Sequence, residues 1–249
     1  MKSKYMPIEK ELFHVHTYRC GHASDEMDYE YVEAAIKLGI ERIVFTDHAP
    51  FPGNPFLSRM KYEQLPEYIS TINELKDKYN DQIEILCGLE VEFLPSYLEY
   101  YKQLREMDGI DILIVGQHFY EKEPGVFSYS DTDKTYEYKG QCEAMAQAVR
   151  SRIFDVIAHP DRSFRACDKL GEGETKAAKE LIDAVLSCEI NNRPYLEKNI
   201  SSIKTAKFYK EDFWELCPEE IKTTVGLDAH SVDELTDYWR FIVRNKGKL

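Results

Sequence analysis

Seven short apolar runs alternate with longer amphipathic stretches along the 249 residues, and this alternation constrains the fold more than any other feature. The runs expected as strands are Leu12–Val15, Arg42–Phe45, Ile83–Leu86 extended by Gly88–Phe93, Ile110–Val115, Asp155–Ala158, Cys188–Ile190 and Thr223–Leu227. The stretches expected as helices are Tyr29–Leu38, Tyr62–Tyr79, Tyr97–Met107, Tyr136–Ser151, Thr175–Leu186, segments between Ile203 and Leu216, and Val232–Val243. Gly39 stands where a left-handed residue ends the first helix, and Ser231 is placed to cap the last. Strand followed by helix, seven times, is a parallel α/β pattern. An open doubly wound sheet and a closed barrel both fit it. No GxGxxG or GxxxxGK[ST] follows the first strand, so neither nucleotide fingerprint is present.

The chain is long enough to bury a sizeable core, and no linker, repeat or low-complexity tract divides it. Lys and Arg number 32 against 45 Asp and Glu, a net charge of −13. That balance argues against a coat for long nucleic acid, which needs clustered cations. It leaves room for an anionic substrate, because bound metal ions reverse the local sign. Mean hydropathy is −0.50, and no apolar run approaches the roughly 20 residues of a membrane helix. Met1–Phe13 is charged and lacks an apolar core, so no secretory signal is expected. None of the six cysteines has CxxC spacing, which suits reduced thiols in a cytoplasm. Cys20 and Cys167 lie beside the candidate site.

The seven histidines are the chemical signal. His14 and His16 lie at the end of the first expected strand and His22 in the loop after it. His48 follows the second strand, His118 the fourth, His159 the fifth and His230 the seventh. In a parallel sheet those ends share one face, so the imidazoles converge. Residues i and i+2 of a strand point the same way, so His14-x-His16, Asp228-x-His230 and Glu90-x-Glu92 each offer two donors to one point. Seven imidazoles with Asp228 and Glu90 are too many for one four-coordinate ion. They suit two or three divalent ions (Zn, Mn or Fe) sharing a carboxylate. Asp47 is expected to hold a ring and not an ion.

In these residues the chain resembles the polymerase and histidinol phosphatase (PHP) family. The motifs, in order, are His14-x-His16, Thr46-Asp47-His48, Gly88-Leu89-Glu90, Gly116-Gln117-His118, Ala158-His159-Pro160 and Asp228-Ala229-His230. The resemblance implies a distorted (βα)7 TIM-like barrel, one domain over residues 1–249, with a trinuclear site at the strand C-termini. It implies one ion on His14, His16, Glu90 and Asp228. A second would lie on Glu90, His118 and His159, and a third on His22, His48 and His230. His48-Ala49-Pro50-Phe51, Ser58-Arg59-Met60, Ile85 to Glu92 and Glu189-Ile190-Asn191 look most like the histidinol-phosphatase branch. Asn192-Arg193-Pro194-Tyr195 departs from the small-residue turn expected there, and the loop Phe119–Lys134 lacks a histidine-rich stretch.

The expected reaction is hydrolysis of a phosphomonoester, most plainly L-histidinol phosphate, in histidine synthesis. Metal binding pulls the pKa of water from 15.7 towards about 7, which makes the nucleophile. Asp228, His230 and Glu90 are the candidate catalytic residues. Arginine matches phosphate with a planar fork, which points to Arg59, Arg162 and Arg165 in loops on the metal face, Arg162 first among them. Glu92 and Asn191 are candidates for the substrate's polar end. The competing classes are a phosphodiesterase or exonuclease on nucleotides or short single strands, and a non-catalytic metal-binding module. The partner expected is a small phosphorylated substrate, with neither membrane nor long nucleic acid.

Overall fold

The computed structural model of the chain describes residues 4–206 and 208–247. Positions 1–3, at the start of the stretch read for a signal, lie outside the described residues. So does position 207, inside the segment expected to be helical between Ile203 and Leu216. The strands are β1 (Glu11–Val15), β2 (Arg42–His48), β3 (Glu84–Val91), β4 (Ile112–Gly116), β5 (Glu121–Glu123), β6 (Val126–Phe127), β7 (Val156–Ala158), β8 (Tyr195–Asn199) and β9 (Thr223–Gly226). The α-helices are α1 (Asp28–Lys37), α2 (Leu65–Lys78), α3 (Leu98–Glu106), α4 (Glu137–Ser151), α5 (Glu172–Leu186), α6 (Ile200–Thr205), α7 (Glu211–Glu215) and α8 (Val232–Arg244).

Seven strands form one sheet in the order β1-β2-β3-β4-β7-β8-β9, which is chain order. A doubly wound sheet reverses direction at a switch point, and this one does not. After β9, Leu227 N–H donates to the Phe13 carbonyl at 2.8 Å, and His16 N–H donates to the Ala229 carbonyl at 2.9 Å. The last strand therefore continues into a segment bonded to the first, as a singly wound barrel requires.

The described chain forms two compact units. The first comprises Met1–Glu90, Glu106–Leu113 and Val225–Leu249. Its strands are buried on both faces, which is why they read as unbroken apolar runs: Phe13, Val15, Val44, Phe45 and Leu89 are fully buried. β2 and β3 run parallel in unbroken register from Arg42↔Glu84 to His48↔Glu90. Helix α1 stops where Gly39 takes φ +71°, and Ser231 Oγ accepts from Glu234 N–H at 3.0 Å at the start of α8. Both signals match the sequence reading.

Gly88 is required by contact. A Cβ there would lie 2.5 Å from Ile112 Cγ2 and 3.0 Å from the carbonyl oxygens of Ile112 and Phe45. Two of those atoms are backbone, so β3 itself must move. Gly88→Ala is expected to cost about 1–3 kcal/mol by overpacking, read as a shift of the denaturation midpoint. An unchanged midpoint would show that the strand yields without cost.

The second unit comprises Val91–Arg105 and Ile114–Thr224. In it β4 pairs with β7 and β7 with β8, all parallel, while α4 packs on α5. The sixth strand of the sheet corrects the sequence reading. It is Tyr195–Asn199, not Cys188–Ile190, and Ile190–Asn192 is a 3-10 turn ahead of it. The apolar run misled because the true strand carries Glu197 and Asn199, both buried, in place of apolar side chains. The stretch Phe119–Lys134, expected as loop, holds the short antiparallel pair β5–β6. Among the described residues no helix is long and apolar enough to cross a membrane.

Candidate metal centre

Every histidine sits within, at or just beyond the C-terminal end of a sheet strand, as the sequence reading placed them. The backbone that presents three of the expected donors is unusual. His14 has φ 67°, His159 φ 32° and Asp228 φ 56°, a region that non-glycine residues rarely occupy. At His14 the pairing of β1 with β2 skips a residue, from Phe13↔Val44 to Val15↔Phe45. The strand therefore bulges at the first donor and does not simply alternate. Such local strain persists where surrounding contacts hold it, and it concentrates at functional sites.

In the first unit seven expected side chains come together. Glu90 approaches three imidazoles: His14 Nε2 at 3.5 Å, His16 Nε2 at 3.6 Å and His48 Nδ1 at 2.9 Å. Asp228 Oδ1 lies 3.9 Å from His14 Nε2 and 3.4 Å from His16 Nε2. The rings of His16 and His230 stack at 4.3 Å, and His22 lies 4.7 Å from His230 and 5.3 Å from His48. Donor atoms of His14, His16 and Asp228 all lie within 4.8 Å of one another. The same holds for His22, His48 and His230, and for His16, His48 and Glu90.

The tautomers follow from the partners. His22 Nδ1 faces the Cys20 carbonyl at 3.1 Å, and His230 Nδ1 faces the Asp228 carbonyl at 3.1 Å. A carbonyl only accepts, so each Nδ1 carries the proton and each Nε2 keeps its lone pair. Nε2 of His230 is buried and makes no hydrogen bond among the described residues. Both ring nitrogens of His16 are in the same state, meeting carboxylates only at 3.4–3.9 Å. Burial, then the neighbouring His230 and His48, pushes His16 well below the usual imidazole range. Burial also lowers His22. Burial alone would raise Asp228, but the close approach of His16, His14 and His230 holds it well below the usual carboxylate range. Neutral imidazoles beside a carboxylate are the protonation states that bind divalent metals. A buried polar group without a partner costs about 1–3 kcal/mol, and a cation would satisfy several here at once. The donor set therefore fits a divalent-metal centre.

Asp47, expected to hold a ring, does not: its Oδ1 stays 3.9 Å from His16 Nδ1, which makes no hydrogen bond among the described residues. Its carboxylate accepts from Thr17 N–H at 2.6 Å and from the Thr17 hydroxyl, fixing the turn that follows His16. Burial pushes it up to about 6. Arg59 lies in the loop after β2. Its Nη1 donates to the Ala49 carbonyl at 3.1 Å, and its guanidinium lies 5.4 Å from the centre of the Phe51 ring.

In the second unit the rings of His118 and His159 lie 5.1 Å apart. His118 Nδ1 meets Glu92 Oε1 at 3.0 Å, so Glu92 orients a ring, a position the sequence reading gave to the substrate. His159 N–H donates to Glu197 Oε2 at 2.9 Å, and Asn199 Nδ2 donates to the same oxygen at 3.3 Å. Neither Glu197 nor Asn199 was expected. Their signal was the same i, i+2 spacing of polar groups seen in His14-x-His16, hidden by the misplaced strand. Arg162 follows directly on His159, its N–H donating to the His159 carbonyl at 3.0 Å, and its guanidinium covers Phe208 at 4.8 Å. Arg165 pairs with the buried Glu137. Asn191 is exposed in the turn before β8, at the opposite end of that strand from the donors. The structure does not bring it to them, because its expected role depended on the misplaced strand.

The PHP domain matches residues 13–201. The chain is 33% identical over 156 residues to a probable histidinol-phosphatase of Deinococcus radiodurans, covering 59% of each protein. It is 30% identical over 162 residues to the histidinol-phosphatase of Bacillus subtilis, covering 60% of each. It is 28% identical over 241 residues to the histidinol-phosphatase of Lactococcus lactis, covering 90% of this chain and 85% of that one. The match thus spans about 60% of the length of the first two relatives. Among solved structures, a putative histidinol phosphatase of Listeria monocytogenes aligns with a TM-score of 0.75 at 19% identity, over 90% of this chain and 97% of that one. The Lactococcus lactis histidinol phosphate phosphatase, crystallised with Zn, L-histidinol and phosphate, aligns at 0.67 and 22% identity, over 96% and 94%. The shared fold is the expected seven-stranded TIM-like barrel. With the domain matched over most of its length and the ordered histidine motifs gathered at the strand ends, the chain belongs to the PHP family.

Proposed function

We propose that the chain is a divalent-metal-dependent phosphomonoesterase that hydrolyses L-histidinol phosphate to L-histidinol and phosphate. The observation that carries this is the gathering of His14, His16, His22, His48, His230, Glu90 and Asp228 with buried, unsatisfied ring nitrogens at His16 and His230. The names of the relatives, and the product pair held by the Lactococcus lactis protein, support the substrate. The assignment is two or three ions (Zn, Mn or Fe). His14, His16, Glu90 and Asp228 hold the first, Glu90, His118 and His159 the second, and His22, His48 and His230 the third. Six free cysteines fit a reducing cytoplasm.

When bound, such ions neutralise phosphoryl oxygens and bring the pKa of water near 7. The chain supplies the rest. Glu90 and Asp228 provide negative charge among neutral imidazoles. Arg162, carried by the turn after His159, grips the phosphoryl group with its planar fork. Arg59, tethered at Ala49, lines the loop beside His48. Asp228 is the group that moves the proton at the leaving alkoxide, while His230, its Nδ1–H held by the Asp228 carbonyl, gives Nε2 to the third ion. Glu92 holds the His118 ring.

Glu92→Gln is expected to lower metal affinity by about 10–100-fold, measured by chelator competition. A raised KM with unchanged affinity would instead put Glu92 on the substrate. The function is tested with histidinol phosphate, nucleoside monophosphates and a short oligonucleotide, each assayed with Mn, Zn and Fe. Turnover greatest on histidinol phosphate supports the reading. Preference for the oligonucleotide makes the chain a phosphodiesterase, and no turnover with any metal makes it a binding module.

A further inference from the structure

His22 differs from the other histidines of the first unit in how it is held. It is exposed, while His14, His16 and His48 are buried. It lies beyond β1, on the loop that runs from the 3-10 turn Tyr18–Cys20 to α1. A loop outside the sheet places a ligand only as well as its own contacts hold it.

Those contacts lead to His230. Ser24 N–H donates to the His230 carbonyl at 2.9 Å, and the Ser24 hydroxyl lies 3.2 Å from the same oxygen. That hydroxyl donates to the Glu26 carboxylate. It has one proton to give, so the Tyr31 hydroxyl, 3.3 Å away, is the donor in the contact between the two. Glu26 Oε2 also accepts from Val232 N–H at 3.4 Å, at the start of α8. There backbone donors lack helical partners and a negative charge is favoured. Glu234 holds His230 from its other side, accepting its N–H at 2.8 Å. The loop that carries His22 and the segment that carries His230 are thus fastened to each other, with the two rings 4.7 Å apart.

We propose that Ser24 and Glu26 are positioning residues. They clasp the His22 loop to the start of α8, and so set the spacing of His22 and His230 and the affinity for the ion that these share with His48. The inference rests on the assignment of that ion to the three histidines. When the clasp opens, this ion is lost before the others, since His14 and Glu90 sit within β1 and β3.

The test counts the ions bound per full chain across a series of buffered zinc concentrations, with circular dichroism to establish folding. Ser24→Ala and Glu26→Ala should each weaken one ion by about 10–100-fold and leave the rest at wild-type affinity. Ser24→Thr, which keeps the hydroxyl, should bind as wild type does. His22→Ala should lose the same ion, and adding Ser24→Ala to it should change nothing further. Unchanged zinc binding in folded Ser24→Ala and Glu26→Ala overturns the proposal. So does a weakening spread equally over every ion, or one that Ser24→Ala still adds to His22→Ala, since general loosening of the fold does both. Where alanine unfolds the chain, Glu26→Gln, which keeps the shape and removes the charge, takes its place under the same criteria. Wild type that binds no zinc, or His22→Ala that keeps every ion, overturns the metal assignment itself, a result distinct from the others.

Discussion

Glu90→Gln is expected to lower kcat by about 10³-fold and to strip metal from the protein while leaving it folded. The substitution preserves shape and removes one negative charge. That charge sits 2.9 Å from His48 Nδ1 and within 3.6 Å of both His14 and His16, on a side chain only 1% exposed. Register explains the position. His48 and Glu90 are paired residues on adjacent parallel strands, and the Glu90 carbonyl accepts from Ala49 N–H at 2.7 Å. The carboxylate cannot drift without moving the strand. Glu84→Gln, at the exposed start of the same strand, serves as the control and should stay within about 0.5 kcal/mol of wild type in stability. Metal content and steady-state rates measure the difference. A fully active, fully loaded Glu90→Gln would remove Glu90 from the centre.

Arg19→Ala is expected to cost about 3–5 kcal/mol of stability, the range for breaking a buried ion pair from one side. For a chain of this size that is about 10 °C in Tm. The guanidinium is enclosed: Nη1 donates to Asp28 Oδ1 at 2.7 Å and to Thr17 Oγ1 at 3.1 Å. Nε and Nη2 grip both oxygens of Glu67 at 3.0 and 2.9 Å. Its planar face lies 4.5 Å from the Tyr18 ring centre. Without it the Asp28 carboxylate, 1% exposed, keeps its charge and loses its cation. Adding Asp28→Asn should recover much of the loss, since it removes the stranded charge. The turn that Arg19 anchors joins His16 to His22, so metal affinity should fall with stability. Thermal denaturation decides it, and a loss below about 1 kcal/mol would show that water replaces the arginine without cost.

The sheet was legible because parallel strands buried on both faces read as apolar runs between amphipathic helices. The donor end was legible because histidine is rare and each one follows a strand. What failed was β8, whose inward positions Glu197 and Asn199 are polar for the sake of His159, so the strand lacked the apolar signature. Asn191 was misplaced for the same reason. The left-handed backbone at His14, His159 and Asp228 was illegible because only glycine and asparagine advertise it, and none of the three positions holds either. The side chains of His14-x-His16 and Asp228-x-His230 still gather as the i, i+2 argument expects, although at His14 the strand bulges. Glu92 was found but its contact with the His118 ring was not foreseen, since spacing shows which residues share a face and not which ring a carboxylate meets.

The central claim is that the gathered imidazoles and carboxylates hold ions on which hydrolysis depends. Its most direct measurement is metal content per chain, followed in step with turnover of histidinol phosphate as a chelator removes the metal and Zn, Mn or Fe restores it. The account predicts two or three ions per chain, lost and regained together with activity. Full turnover by protein freed of metal would contradict it.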